Sequence, residues 1–402
     1  MNIGIVTTWF ERGAAYVSKA YADILDRRHN VFIYARGGEK YAKEDDKWNA
    51  PNVTWGHRYK TLGTRIRWIH FKKWLETNSI DTVIFNEQND WEVIVNCRKL
   101  DLKILSYVDY YKQDTVDLFT LYDALICNTK RHYEVFQYHR NCIYIPWGTD
   151  IRLFSPRQND HDTITFFHSA GMGGANGRKG TDSVVRAFDR LKVPARLIVH
   201  SQAGIEKYAN VAEIIQKNSS IEFINETVTA PGLYYMGDVY VYPTKLEGIG
   251  LTVAEALSCG LPVIATNNQP MNEFIVDGLN GSLVDVKRYV SRADGYYWPE
   301  SECCEESLHA AMIRMCTEYT NNKLLDMKVN ARVYAEEHLN WETNSSSLCE
   351  FIENIEEDKD KQSNLKKIRY KALAMSYADR KTWCDDFIYY ARRIGRKLSS
   401  LD

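Results

Sequence analysis

The chain has no uninterrupted apolar run approaching the roughly eighteen residues that a membrane-crossing helix needs. Its first residues, MNIGIVTTWF, lack the basic start and long apolar core of a secretory leader. An excess of one charge sign is also missing. Lys and Arg number 51 against 53 Asp and Glu, and a net charge of −2 offers no field for nucleic acid. The nine cysteines are odd in number and scattered, with no C-x-x-C pair, and the adjacent Cys303 and Cys304 do not have metal-ligand spacing. These absences exclude a membrane span, a polyanion binder, a disulfide framework and a zinc site, and they predict a cytoplasmic protein in a reducing compartment. What is present is 45% hydrophobic and 26% charged, the composition of a soluble globular protein. At 402 residues the chain exceeds one ordinary core, so two domains are expected.

Short apolar runs alternate with amphipathic stretches from the start. NIGIVTT, the loop WFERGAA, YVSKAYADILDRRH and VFIYA read as strand, glycine loop, helix and strand. DTVIFN, KILSYVD, DALICN and CIYIP continue the strand series, with RIRWIHFKKWLETN, WEVIVNCRKL and RHYEVFQYH as helices. A second series begins after the polar SPRQNDHD: TITFFHSA, ARLIVHS, IEFIN, DVYVYPT, PVIAT and GSLVDV. Two such series predict two doubly wound α/β domains, 1–155 and 156–345. Residues 346–402 are expected to form a helical extension packing back on the body. Its last segment interleaves basic residues with Trp383, Phe387, Ile388, Tyr390, Ile394 and Leu398. That pattern suits either an apolar stripe on the body or a helix lying on an anionic membrane surface.

Open parallel sheets bind ligands beyond the carboxyl ends of their strands. Glu247 follows the strand DVYVYPT, and Gly248 and Gly250 let the backbone turn sharply toward a ligand. The stretch LTVAEAL then opens a helix whose first N–H groups suit a phosphate. Glu255, inside that helix, can accept from vicinal hydroxyls such as those of a ribose. The sum is a pocket for a sugar, a phosphate and a ribose.

At these residues the chain resembles retaining glycosyltransferases of family four, which have the GT-B fold and an E-x7-E motif. EGIGLTVAEALSCGLPVIAT is similar to that motif region. DALICNT, IPWGTDIRLFSP, RKGTDSVVRAF, NEFIVDGLNGSLVDV and WETNSSSL resemble further family segments, mostly within 120–345. The resemblance implies two Rossmann-like domains facing a central cleft, an N-terminal one for the acceptor and a C-terminal one for a UDP- or GDP-linked sugar donor. It implies that Glu247 meets the donor sugar, that the backbone from Gly248 through Ile249, Gly250 and Leu251 to Thr252 holds sugar hydroxyls and diphosphate, and that Glu255 takes the ribose. Lys179 matches the lysine that neutralises the diphosphate, and Gly13, in ERGAA, matches the glycine loop beneath it. No cofactor and no metal is implied. The resemblance implies a glycan or lipid-linked acceptor; it does not reach the tail, where peripheral membrane contact stays one of the two readings.

Two departures from the family stand out. An arginine normally precedes the lysine by several residues, whereas here the loop reads GMGGANGRKG. Arg178 is one substitute, and N–H groups of the glycine run, Gly171 and Gly173 among them, are the other. Where many relatives place a histidine after the strand KILSYVD, this chain has Asp109, which either faces the reacting centre or caps a loop. Glu87 and Asn89, in NEQNDW, either bond an acceptor hydroxyl or decorate a polar loop tip. His168 reads as a buried strand-end histidine rather than a catalytic group. The insert 287–307 either shapes donor choice or lengthens a loop. Two other functions fit the same residues: an inactive sugar-nucleotide-binding subunit of a polysaccharide machine, and a sugar-nucleotide epimerase of the same fold.

Overall fold

The computed structural model describes residues 1–37, 42–58, 64–157, 161–171, 177–356 and 363–376. The chain divides into two compact units. The first comprises Met1–Cys127, His132–Tyr144 and the residues from Ser346 onward, and the second Asn128–Arg131 and Ile145–Ser345. The division after Tyr144 precedes the polar segment expected to mark it. The described residues from Ser346 onward group with the first unit.

The first unit holds β1 (Asn2–Thr7), α1 (Gly13–Leu25), β2 (Asn30–Gly37), β3 (Val53–Arg58), α2 (Trp68–Thr77) and β4 (Thr82–Asn86). It continues with α3 (Trp91–Cys97), β5 (Lys103–Tyr107), β6 (Ala124–Cys127), most of α4 (Lys130–Phe136) and β7 (Cys142–Tyr144). All seven strands are parallel, in the order β3-β2-β1-β4-β5-β6-β7. Strands covered on both faces need apolar side chains on both, and β4 is buried along its whole length. The thiols of Cys127 and Cys142 lie 3.8 Å apart on β6 and β7, both reduced.

The second unit holds β8 (Thr165–Gly171), α5 (Thr181–Asp189), β9 (Arg196–Ser201), α6 (Ala212–Lys217), β10 (Ile221–Asn225) and β11 (Val239–Tyr242). Then come α7 (Leu251–Ser258), β12 (Val263–Thr266) and β13 (Gly281–Val284). Its six strands are also parallel, in the order β10-β9-β8-β11-β12-β13. The insert is an antiparallel hairpin, β14 (Val286–Val290) with β15 (Glu300–Cys303). The long helices α8 (Glu305–Thr320) and α9 (Leu324–His338) follow, and Phe166, Val184, Phe188, Val199 and Met312 share this unit's core.

WETNSSSLCEFIENIEE reads as one helix but forms two, α10 (Trp341–Asn344) and α11 (Leu348–Glu353). The Ser345 hydroxyl donates to the Trp341 carbonyl at 2.6 Å, a local bond that competes with helix continuation. α11 belongs to the first unit: Glu353 pairs with Arg28 at 2.7 Å, and Cys349 donates to the Ile24 carbonyl of α1. Residues 363–376 are helical, with Lys371 2.6 Å from Asp117 and Ser376 accepting from the Glu92 N–H. The apolar and basic segment around Trp383 and Tyr390 lies outside the described residues. Among the described residues, no helix is long and apolar enough to cross a membrane.

Candidate functional site

The strand order of the second unit reverses direction between β8 and β11, the place where an open α/β sheet leaves a crevice beyond its strand ends. The loop after β8 carries Arg178 and Lys179, and the loop after β11 carries Glu247. The two loops are held together by backbone, since the Lys245 N–H donates to the Arg178 carbonyl at 2.8 Å. Gly180, which opens α5, has φ +72, and a Cβ there would collide with the Pro243 carbonyl. Only glycine lets these loops approach so closely.

Glu247 Oε1 accepts from three donors: Lys179 Nζ at 2.6 Å, Thr244 Oγ1 at 2.7 Å and the Tyr242 hydroxyl at 2.9 Å. Lys179 also donates to the Tyr242 oxygen, and its ammonium lies over the Tyr242 ring at 4.9 Å. Glu247 Oε2 has Arg178 Nη1 at 3.9 Å. Burial works to raise the Glu247 pKa, but the Lys179 and Arg178 charges and the bonds from Lys179 and Thr244 outweigh it, holding the carboxyl at about 2. Burial also pulls the Lys179 pKa down, and Glu247 opposes that. Tyr242 is pushed well above its ordinary value by burial and by Glu247, so it keeps its proton. The result is a fixed, charged pair in a low-dielectric corner.

Beyond Glu247 the backbone turns through Gly248, Ile249 and Gly250 into α7. Gly250 has φ +88, and a Cβ would run into the Met271 methyl, so both conformation and space require glycine. Among the described residues, none accepts from the N–H groups of Gly248, Ile249, Gly250 or Leu251. A row of unoccupied N–H groups at a helix start is an anion seat. Ile249 is buried, so its contribution is backbone alone. Thr252 is the second residue of α7, and Glu255, one turn in, is half-buried and accepts from the Tyr234 hydroxyl at 2.6 Å. Burial raises the Glu255 pKa, and the Tyr234 bond and Lys179 moderate the rise.

Gly171 ends β8 with φ +54, and its carbonyl accepts from the Gln202 N–H at 3.3 Å. Gly173 lies outside the described residues. His168 is fully buried, bonded to the Val241 carbonyl at 2.7 Å and to Thr181 Oγ1 at 2.9 Å. It is a structural strut, as its sequence position suggests. Arg131, at the start of α4, is a residue the sequence did not single out. Its side chain is buried, one nitrogen donates to the Gln269 carbonyl at 2.9 Å, and another donates to the Glu247 carbonyl. No local signal could have revealed this, since 116 positions separate Arg131 from Glu247.

The first unit has its own reversal point, between β1 and β4. Gly13 is the first residue of α1, after β1, and Glu87 follows β4 with φ +50, unusual for a residue with a Cβ. The Glu87 carbonyl accepts from Arg36 at 2.6 Å, and its carboxylate lies 3.8 Å from Arg12. Asn89, two positions on, is partly exposed. Asp109 follows β5, with Oδ1 3.8 Å from Nε2 of the buried His132, whose Nδ1 is 3.0 Å from the Tyr111 hydroxyl. The chain therefore does place a histidine beside this strand end, from α4 rather than from the loop itself. Among the described residues, no group of three His, Cys, Asp or Glu is placed to hold a metal ion.

Residues 160–295 match the family of glycosyl transferases group 1. The D-inositol 3-phosphate glycosyltransferase of Pseudarthrobacter chlorophenolicus is 29% identical over 168 residues, 38% of this chain and 40% of that protein. An uncharacterized 41.2 kDa protein in the cps region of Klebsiella pneumoniae is 37% identical over 140 residues, 30% of this chain and 39% of that one. The chain thus spans less than half the length of these curated relatives. A glycosyltransferase from Rickettsia africae superimposes with a TM-score of 0.68 at 13% identity, over 88% of this chain and 99% of that one. Anabaena HepE, solved with UDP and glucose, superimposes with a TM-score of 0.66 at 17% identity and the same coverage. Structural likeness at such identities speaks to the fold. The chain has the GT-B fold, and within its second unit the stretch 160–295 is similar to the glycosyl transferases group 1 family.

Proposed function

We propose that the protein is a retaining glycosyltransferase that moves a sugar from a nucleoside diphosphate sugar to a hydroxyl of a glycan or lipid-linked acceptor. The observation that carries this reading is the Lys179–Glu247 pair beside the open N–H groups at the start of α7. In it, Glu247 Oε2 accepts from a donor-sugar hydroxyl, while Oε1 is locked by its three donors. Lys179 and the α7 N-terminus take the diphosphate, whose charge grows as the glycosidic bond breaks. Arg178 stands in for the arginine usual in the family, and Glu255 holds the ribose. For Gly13, Asp109, Glu87 and Asn89 the reading keeps the roles that the sequence and the family resemblance imply. The donor class draws support from relatives solved with UDP, HepE with glucose and the pneumococcal transferase GtfA with GlcNAc. A GDP-mannose-dependent mannosyltransferase among the matches keeps guanine nucleotides in the panel.

In this reading the departing phosphate itself takes the acceptor proton on the face it leaves, so no strong side-chain base is required. The catalytic demand is then charge stabilisation, which fixed donors in a buried corner supply. The reading needs no divalent cation, and turnover is expected to survive EDTA. Incubation with a panel of UDP- and GDP-sugars and candidate acceptors, followed by NMR of the product anomer, tests it. A retained anomeric configuration with release of the nucleoside diphosphate supports it. Donor binding without transfer or hydrolysis would instead mark an inactive binding subunit, and conversion of the donor with no acceptor would mark an epimerase.

A further inference from the structure

The insert between β13 and α8 is built into the loop that carries Glu247. The Ser301 N–H and hydroxyl both donate to the Lys245 carbonyl, at 2.8 and 3.2 Å, and Glu302 bridges Arg288 at 2.6 Å and Lys245 at 3.7 Å. At the far end of the hairpin, the Trp298 ring lies 5.2 Å from the Arg131 guanidinium carbon, and Tyr297 packs edge-on against Trp298. Arg131 is 1% exposed; its guanidinium donates to the Gln269 and Glu247 carbonyls, and its backbone N–H donates to Glu273 Oε1 at 3.1 Å. A buried guanidinium needs its charge compensated, and here the Glu273 carboxylate, two carbonyl dipoles and an indole face compensate it. In a trans peptide the C=O and the following N–H point in opposite directions. Arg131, by holding the Glu247 carbonyl, therefore aims the Gly248 N–H away from itself, into the row of open N–H groups.

We propose that the β14–β15 hairpin is a positioning element for the sugar end of the donor site: Trp298 fixes Arg131, and Arg131 fixes the peptide between Glu247 and Gly248. The word donor rests on the function proposed above; the mechanical linkage does not. Glu255, at the proposed ribose end, is held by Tyr234, and among the described residues it makes no hydrogen bond or ion pair with the hairpin. The linkage therefore discriminates between the two ends of one ligand. Loosening it lowers affinity for the sugar and spares affinity for the nucleoside diphosphate.

Trp298→Ala and Arg131→Lys test this against Trp298→Phe, which keeps an aromatic face. Amide hydrogen exchange of the ligand-free protein reads the linkage first: both disruptive variants should speed exchange at Lys245 and Val253, the hydrogen-bonded amides that flank the turn, with α9 unchanged. Trp298→Phe should stay close to the parent. Calorimetry then reads the ligand ends. Trp298→Ala should bind the sugar nucleotide selected by the panel roughly five- to thirty-fold more weakly, the range a partly to fully desolvated cation–π contact spans, and bind UDP or GDP as the parent does. Equal weakening for both ligands, or exchange accelerated throughout the second unit, would mean the hairpin is only a structural brace and would overturn the proposal. Unchanged exchange in both disruptive variants would overturn it as well. If the parent protein binds no sugar nucleotide, the functional reading falls, while the exchange measurement still decides the linkage.

Discussion

Lys179 and Glu247 meet at 2.6 Å across two loops that follow neighbouring strands of one sheet. Either charge alone in that corner would be costly, and together they form a fixed dipole at the start of α7. Removing Lys179 leaves Glu247 with the more distant Arg178 charge and the Thr244 and Tyr242 hydroxyls to oppose its burial. Lys179→Ala and Glu247→Ala should each cut transfer at least about ten-fold while a nucleoside diphosphate still binds. Steady-state rates alongside calorimetry check this, and near-normal turnover in both variants would remove the site assignment.

Glu255 separates from that pair by its partner and its role. A charged hydrogen-bond acceptor lost from a binding site costs about 1.5–3 kcal/mol, so Glu255→Ala should weaken nucleoside diphosphate affinity by roughly ten- to a hundred-fold. Because burial raises the Glu255 pKa, nucleotide binding should also decline as pH falls toward that raised value, and the decline should disappear in Glu255→Gln. Titration calorimetry at several pH values reads both effects.

Gly250→Ala tests the turn into α7. The left-handed conformation costs a Cβ-bearing residue about 1–2 kcal/mol, and displacing the Met271 methyl adds a further cost of about 1–3 kcal/mol. A lowered midpoint in thermal unfolding is expected. Combining it with Met271→Ala should relieve the clash while leaving the conformational penalty, so only partial recovery is expected.

His168 gives a pH signature of folding. Its pKa is held at about 4, mainly by burial and further by Lys179, against an ordinary value near 6.5. The unfolded chain therefore takes up a proton first as pH falls, and stability declines from about pH 6.5 to about pH 4 by roughly 3 kcal/mol. Denaturation curves of the parent and His168→Gln across that window should differ in slope. Parallel curves would show that this imidazole does not resist protonation.

Glu247 was legible because an apolar strand end, two glycines and a helix start announce a loop at a crevice, whereas Lys179 was singled out only by the family resemblance. Tyr242 and Thr244 were hidden inside DVYVYPT, where an apolar strand reading accounts for every residue and assigns none to the site. Arg131 and His132 were hidden by distance: RHYEVFQYH reads as an amphipathic helix, and only tertiary packing brings its first turn to Glu247 and Asp109. The edge strand β3 escaped notice because VTWGHR is only partly buried and has neither alternation nor an apolar run. The hairpin was invisible for a related reason. VKRYV is largely solvated, ESEC buries only Ser301 and Cys303, and what fixes the pair is the bonding to Lys245, which no local pattern encodes.

The discontinuity of the first unit has a consequence for synthesis. Its α1 face is closed by α11, through Glu353 on Arg28 and Cys349 on Ile24, and α11 leaves the ribosome only after the whole of Ile145–Ser345. The usual vectorial order, in which the N-terminal unit completes first, is therefore inverted. The second unit can reach its finished core while the first still waits, with α1 uncovered, for the last piece of its own surface to be translated.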